Sequence, residues 1–161
     1  MNRDDGYLDR TPLEFATELW DWGFNPVPAA YGSKIPSIPW KPYIDRRVTL
    51  EELERWFGRL TRTNYWSPTG LVSRVAVVDC DNAYSIEWWR DRIGEPLDRT
   101  ACVKTARGMH FFFRIEHPMA SWSQHDGRLE FDVRADGTGI ILPPSVHISG
   151  ADYGWGVEPG S

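Results

Sequence analysis

The sequence predicts an α+β fold in which one mixed β-sheet carries helices on a face. Three features predict it: two capping boxes open amphipathic segments, one continuous apolar run has the length of a buried strand, and short strands around turn residues fill the second half. The chain has 161 residues, 41% of them apolar, which suits a single domain with its own core.

The first helix is marked by Thr11, a suitable N-cap, followed by Pro12 at the first helical position. Glu14 completes a capping box with Thr11, and Gly23 is placed to end the helix. Residues 24–30 follow as an extended segment. Their two prolines cannot donate ladder hydrogen bonds, so the segment is expected at a sheet edge.

A second capping box, formed by Thr49 and Glu52, opens the next helix. Its apolar residues recur at helical spacing and are predicted to face the core, while its arginines face water. The predicted inward residues are Leu50, Leu53, Trp56, Phe57 and Leu60.

The second half of the chain has the sequence pattern of short β-strands. Residues 75–79 form a continuous apolar run that ends in an acid, as in a central buried strand, and residues 82–92 have helical spacing. The remaining strands are predicted to form two hairpins, 101–105 with 110–115 and 129–133 with 139–142. The glycine-rich stretch after Tyr153 is expected to fray, with residues 157–161 as a tail or linker.

The charge distribution is uneven. The whole chain carries −5, which argues against a simple DNA-coating protein. Residues 34–62 hold seven basic and four acidic side chains, a local charge of +3. This segment could meet a polyanion, and a solvated mixed-charge surface explains it equally well. The loop-borne candidates for nucleic-acid phosphate are Lys34, Lys41, Arg46 and Arg47.

Cys80 and Cys102 lie in apolar, strand-like surroundings and are predicted to be free buried thiols. That cysteine usage favours a reducing, cytoplasmic compartment. The longest apolar runs are strand-sized, well short of the ~20 residues that a membrane helix needs. We therefore expect no contact with a membrane.

The strongest candidate for chemistry is the pair Asp79 and Asp81, where the central strand ends. Alternate residues of a strand share a face, so the two Cα atoms lie about 6.7 Å apart on one side. Carboxylates at this spacing repel each other unless a cation lies between them, and Mg²⁺ and Mn²⁺ prefer such oxygen ligands. The alternative is a strand that runs into a turn with Asp79 solvated.

Two further segments carry candidate side chains. Lys104, Arg107 and His110 offer hydrogen-bond donors for an anion around Gly108, which permits close backbone approach. An ordinary hairpin with a basic turn is the alternative.

Asp132 alternates with apolar neighbours and shares a strand face with Glu130 and Arg134. It could supply a third carboxylate to a metal site. A surface strand with paired charges is the alternative.

Taken in order, these motifs resemble the bifunctional primase–polymerase (prim-pol) family, replication proteins of plasmids and phages within the archaeo-eukaryotic primase superfamily. The resemblance covers about residues 11–156. It rests on the segments 22–24, 69–70, 77–81, 105–113, 131–134, 143–147 and 153–155, with the basic loop around Lys34 and the tryptophan-bearing region near Trp40 and Trp56.

The resemblance implies an RRM-like catalytic core over about 71–156, with a small α/β module over about 1–70 packed on it. Asp79, Asp81 and Asp132 would bind two divalent cations, Mg²⁺ or Mn²⁺, and the segment from Gly108 to His110 would bind the phosphates of a dNTP, or an NTP.

Lys104, Arg107 and Arg134 would assist at the phosphates. The other implied partners are a DNA template and primer, and a helicase domain or partner beyond the C-terminus. The implied location is the cytoplasm of a bacterial or archaeal host.

Two other functions fit part of the pattern. A two-metal nuclease would use the same acids without a triphosphate pocket. A non-catalytic RRM-like nucleic-acid-binding module would not need Asp79 or Asp81 at all. Metal-dependent nucleotide binding separates both from a polymerase.

Overall fold

The computed structural model describes residues 9–160, which form helices and two antiparallel sheets. The helices are α1 (Pro12–Asp21), α2 (Leu50–Phe57), α3 (Ala83–Ile93) and α4 (Glu95–Arg99), with a 3₁₀ turn at Lys41–Ile44. The strands are β1 (Val27–Ala29), β2 (Asn64–Pro68), β3 (Val75–Cys80), β4 (Cys102–Lys104), β5 (Met109–Arg114), β6 (Trp122–His125), β7 (Glu130–Arg134), β8 (Gly139–Leu142), β9 (Ser145–Val146) and β10 (Asp152–Val157).

Both N-terminal helices start where the sequence predicts. Thr11 accepts a hydrogen bond from the backbone of Glu14, whose side chain accepts one from the backbone of Thr11. Thr49 and Glu52 make the same reciprocal pair at α2. Each box satisfies backbone N–H groups that have no partner inside the helix.

The small sheet has the strand order β1-β2-β8, with β1 at its edge as predicted. Helices α1 and α2 pack against it and share one apolar core with it, to which Leu19, Leu53, Phe57, Tyr65 and Leu142 belong. We call α1, α2 and this sheet the N-terminal module. Its third strand, β8, comes from far down the chain.

The large sheet has the order β6-β7-β3-β5-β4-β10-β9, with β3 near its centre. One face packs on α3 and α4, where Leu97, Phe111 and Phe131 are buried. The other face packs on the N-terminal module through Val77 and Phe112. The sheet therefore lies between a helical layer and the N-terminal module.

The α+β fold class is confirmed, but the expectation of one mixed sheet is wrong. There are two sheets, and all pairs of named strands are antiparallel.

The predicted pairing of 129–133 with 139–142 is also wrong, because β7 pairs with β3 and β6 while β8 pairs with β2. The turn between β7 and β8 is held elsewhere: Asp136 accepts hydrogen bonds from the backbone N–H groups of Leu71 at 2.9 Å and Met119 at 2.8 Å. Gly70 has a φ of 89°, and a Cβ there would collide with Asp136.

Three local expectations are corrected. Leu50 and Leu60 are 54% and 38% exposed instead of buried, because Leu50 opens α2 on its outer side and the helix ends at Phe57, before Leu60. The stretch after Tyr153 does not fray: β10 continues to Val157 and pairs with β4 and β9.

Both cysteines are free and buried, as predicted.

Between residues 9 and 160, none of the helices has the length and apolar character required to cross a membrane.

Candidate active site

Three strands bring the main predicted residues into one row. Asp79 of β3 lies directly opposite Asp132 of β7 on one side and directly opposite His110 of β5 on the other. Directly opposed residues of antiparallel strands point to the same face, with Cβ atoms about 4.5–5.5 Å apart. Asp81 follows two residues after Asp79, just past the end of β3. We call Asp79, Asp81 and Asp132 the carboxylate row.

Arg134 joins two members of the row. Its Nε atom donates to Asp79 Oδ2 at 3.0 Å, and an Nη atom donates to Asp132 Oδ2 at 2.8 Å. On the other side, His110 Nε2 lies 3.1 Å from Asp79 Oδ1. The Asp79 carboxylate is thus held from both sides by nitrogen donors.

These contacts shift the pKa values of the two carboxylates. Burial raises the pKa of Asp79, but the hydrogen bond from His110 and the charges of His110 and Arg134 outweigh it and lower the pKa to about 2. Burial also opposes ionisation of Asp132, whose pKa is nevertheless lowered by hydrogen bonds from Ser123 and His125. Both carboxylates are therefore ionised at neutral pH.

Asp81 behaves differently. Burial and the neighbouring charge of Asp79 raise its pKa, while Arg107 and Lys34 act in the opposite direction. Arg107 Nη2 lies 3.5 Å from Asp81 Oδ1. Of the three acids, Asp81 has the least compensation and is the one whose ionised form would gain most from a cation.

A small cavity of about 100 Å³ adjoins the row. Its lining includes Asp79, His110 and Arg134 from the large sheet, together with Lys34 from the N-terminal module and Tyr153 from β10. His110 is 5% exposed, and its Nδ1 atom is buried without a hydrogen-bond partner among the described residues. A buried imidazole nitrogen in this state calls for water or a ligand group beside it.

The hairpin that carries the predicted anion-binding residues closes on itself at Gly108. Its N–H donates to Thr105 Oγ1 at 3.0 Å, and its carbonyl accepts from the N–H of Thr105 at 3.1 Å. A Cβ at Gly108 would collide with the carbonyl oxygen of Cys80, so glycine allows the turn to pack against the end of β3. Lys104 and Arg107 are exposed at this turn.

Two groups at the site were not among the predicted site residues. His125 of β6 contacts Glu130 Oε2 at 2.7 Å and Asp132 Oδ1 at 2.9 Å, and these hydrogen bonds raise its pKa to about 9. Tyr153 lines the cavity, and burial, with the charges of Asp79 and Asp81, raises its pKa to about 12. No sequence signal marks β6 as a strand, so the contact of His125 with Asp132 was not predictable.

The four residues predicted to bind DNA are separated in the structure. Lys34 lies at the cavity, next to the carboxylate row. Lys41 is exposed at the start of the 3₁₀ turn. Arg46 pairs with Glu52 at 2.7 Å. Arg47 donates to the carbonyl oxygens of Trp20, Gly23 and Phe24, so it holds the end of α1.

With the side chains as they stand within residues 9–160, no three of His, Cys, Asp or Glu converge on a point where they could hold a metal ion. The oxygens of Asp79 and Asp132 are turned towards Arg134, His110 and His125. The negative charge of Asp79 and Asp132 is therefore balanced by these neighbouring basic side chains.

The two sheets and the carboxylate row define an α+β protein with an acidic site bordered by basic side chains, in a cleft between the N-terminal module and the large sheet. The family model described as bifunctional DNA primase/polymerase, N-terminal, matches residues 16–160, and the chain belongs to this family. No curated protein matches the chain by sequence. The expected resemblance is confirmed, and family membership implies DNA binding and DNA primase/polymerase activity.

Proposed function

We propose that this chain catalyses template-directed nucleotidyl transfer at the carboxylate row, with two Mg²⁺ or Mn²⁺ ions as cofactors. One observation carries the proposal: Asp132, Asp79 and His110 stand directly opposite one another on three adjacent strands. This register gathers two acids and an imidazole at one point of the cleft, where Lys34 and Arg134 add positive charge.

The donor set suits divalent cations of this kind. Three carboxylates offer hard oxygen ligands, and Asp81, whose pKa is raised, lacks full compensation. Asp79, Asp81 and Asp132 would hold the ions. When bound, such ions supply Lewis-acid stabilisation of the attacking and leaving oxygens. Arg134 has to give up part of its contact with the row, since it occupies the same carboxylate oxygens.

The basic groups around the cavity are assigned to the triphosphate of the incoming nucleotide. The Nδ1 atom of His110 has no hydrogen-bond partner among the described residues, and Arg107 lies beside Asp81. Arg134, once released from the row, can reach a phosphate with its planar fork of donors. Lys34 joins this group because it lies at the cavity, instead of the DNA role expected from the sequence. Lys104, exposed one strand away, can contact the outer phosphates.

These residues would orient the α-phosphate for in-line attack by a primer 3′-hydroxyl. The hydroxyl proton passes to solvent water as the new ester bond to the α-phosphorus forms. The bond from that phosphorus to the bridging oxygen breaks, and pyrophosphate departs with its charge neutralised by Lys34, Arg107 and Arg134. Positioning and charge stabilisation account for most of catalysis in phosphoryl transfer. The DNA template remains assigned to the exposed Lys41, because Arg46 and Arg47 are engaged within the module.

The wider context of the proposal comes from the resemblance. It comprises phage or plasmid replication, a primer–template partner, and a helicase domain or partner beyond this chain.

A second candidate is a non-catalytic nucleic-acid-binding module. The ion pairs of Asp79 with Arg134 and His110 favour it, because they balance the charge of this carboxylate with side chains alone, as in a purely structural ion-pair network. In that case nucleotide binding would not respond to metal.

Primer extension with the Asp79→Asn variant tests the proposal, with Asp91→Asn on the exposed surface of α3 as the matched control. We expect extension to fall by at least about 10²-fold in Asp79→Asn and to stay unchanged in the control, with both variants folded by circular dichroism. Fluorescent dATP should bind the wild type more tightly with Mn²⁺ than with EDTA. Undiminished extension in Asp79→Asn, or binding indifferent to Mn²⁺, would refute the proposal.

A further inference from the structure

A second cleft lies at the opposite end of β3 from the carboxylate row. It has a volume of about 490 Å³ and opens between the N-terminal module, at Trp22 and Phe24, and the large sheet, at Val75 and Arg114. Val75 precedes Asp79 by four residues of β3, a separation of about 13 Å. The buried side chains of Val77 and Phe112 lie between the two sites. We call it the arginine cleft.

Three arginines line this cleft against one acid. Among the described residues that line it, the bases are Arg47, Arg74 and Arg114 and the one acid is Asp21, which leaves an excess of two positive charges. Arg74 and Arg114 are exposed, and neither forms an ion pair with another residue between 9 and 160. Uncompensated like charges on one cleft create a positive potential that attracts a polyanion.

The backbone brings two of these arginines together. Arg114 is opposite Val75 in the β3–β5 ladder, and the N–H of Ile115 donates to the carbonyl of Arg74 at 3.0 Å. Arg74 has a φ of 52°, and it is the one non-glycine residue with positive φ in the described part of the chain. Such a backbone conformation is uncommon for a residue other than glycine, and here it belongs to the tight turn between Gly70 and Val75 that leads into β3.

The third arginine is fixed in place. Arg47 donates to the carbonyl oxygens of Trp20, Gly23 and Phe24 at the end of α1. Burial lowers its pKa, and the three carbonyl oxygens offset part of the cost of burying the charge. An anion in the cleft would compensate it further.

The floor of the arginine cleft is aromatic. Trp22 is partly exposed and contacts Trp155 edge to face, with ring centroids 5.7 Å apart. Phe24 and Phe112 lie below it, also edge to face, at 5.7 Å. A rigid aromatic surface beside guanidinium groups is the usual arrangement for binding unpaired bases and their phosphates.

We propose that the arginine cleft binds unpaired single-stranded DNA, with phosphates at Arg74 and Arg114 and a base stacked on Trp22. Neighbouring strands lie about 4.8 Å apart, so side chains from their ends can reach successive phosphates of one strand. The choice of DNA rests on the family and on the proposed function. The cleft is open to solvent, which suits a continuous strand better than an enclosed mononucleotide.

The test measures binding of fluorescein-labelled dT₁₂ by anisotropy in EDTA, between 50 and 300 mM salt. The variant is Arg74→Gly with Arg114→Gln. Glycine adopts positive φ readily, so the first change removes a guanidinium without harming the turn. We expect Kd at 150 mM salt to rise about tenfold, and the slope of log K against log salt to become shallower by about 1.4, which is two phosphate contacts at ~0.7 each.

The control is Arg92→Gln with Arg99→Gln, which removes two exposed charges from the helical face of the large sheet. An unchanged Kd and slope in the cleft variant, or an equal loss in the control, would overturn the inference. So would displacement of dT₁₂ by dTMP at a similar concentration, because it would mean a mononucleotide site. The assay contains no metal, so its result is independent of whether the carboxylate row is catalytic.

Discussion

Arg134 provides the sharpest test of the site, because its two roles predict effects of opposite sign. In the free protein it neutralises Asp79 and Asp132, with contacts of 3.0 and 2.8 Å. In the proposed reaction it binds a phosphate instead. Replacing it by glutamine removes the cation that competes with metal for the carboxylate row. Metal should therefore bind more tightly, while nucleotide should bind more weakly.

The size of the effect follows from the contacts of the guanidinium group. Two unit charges about 4 Å apart attract each other by about 4 kcal/mol at an effective dielectric constant of 20. The side chain of Arg134 is 33% exposed, so desolvation and screening leave a smaller net value. We take a net competition of about 1–3 kcal/mol, which corresponds to a 5- to 150-fold gain in metal affinity.

Titration calorimetry with Mn²⁺ and no nucleotide measures the first effect, and fluorescent dATP at saturating Mn²⁺ measures the second. Arg134→Lys is the matched variant, because it keeps the charge but loses the two-pronged contact. It should lie between wild type and Arg134→Gln. If Arg134→Gln bound Mn²⁺ no more tightly than wild type, the reasoning that a side chain occupies the place of the metal would be refuted.

Three further predictions concern the fold that holds the site. The pKa of Asp79 is lowered to about 2, so its ionic contribution to stability is present above about pH 4 and is lost as pH falls through 2. The difference in unfolding free energy between wild type and Asp79→Asn should therefore shrink by about 2 kcal/mol between pH 5 and pH 2. A difference that stays constant in urea melts over this pH range would contradict this. Gly108→Ala should destabilise the protein by about 1–3 kcal/mol, because the added methyl group meets the carbonyl of Cys80. Gly154→Ala should cost less, because a Cβ there meets nothing within 4 Å. Equal shifts of the thermal midpoint in the two variants would refute this account. Thr49→Ala should cost about 1 kcal/mol by removing half of a capping box, measured as a lower midpoint in thermal unfolding; an unchanged midpoint would mean that the box does not stabilise α2.

Local signals in the sequence predicted most helices and the central strand. The capping boxes succeed because Thr11 and Thr49 act on residues three positions away. Strand β2 was missed because Asn64 and Ser67 make it look like a loop. In the structure both are buried, and distant partners satisfy them: Asn64 exchanges two hydrogen bonds with Val146, and Ser67 accepts one from Asn25.

The candidate site was predictable only within single strands. Alternation placed Asp79 and Asp81 together, and Asp132 with Arg134, without any tertiary information. Their convergence depends on the register of β3 against β7, which periodicity does not encode. The position of Lys34 depends on how the N-terminal module docks, so its proposed partner changed from DNA to nucleotide.

Strand β8 makes the N-terminal module depend on the second half of the chain, during synthesis as well as in the finished protein. Its residues 139–142 pair with β2, so the small sheet cannot be completed until residue 142 has emerged. Such distant pairing slows folding relative to a fold built from neighbours. If the chain were cut near residue 70, the N-terminal fragment would lack β8, the third strand of the small sheet. The C-terminal fragment would carry β8 as a hydrophobic strand without its partner β2. Each fragment therefore needs the other to reach its native form.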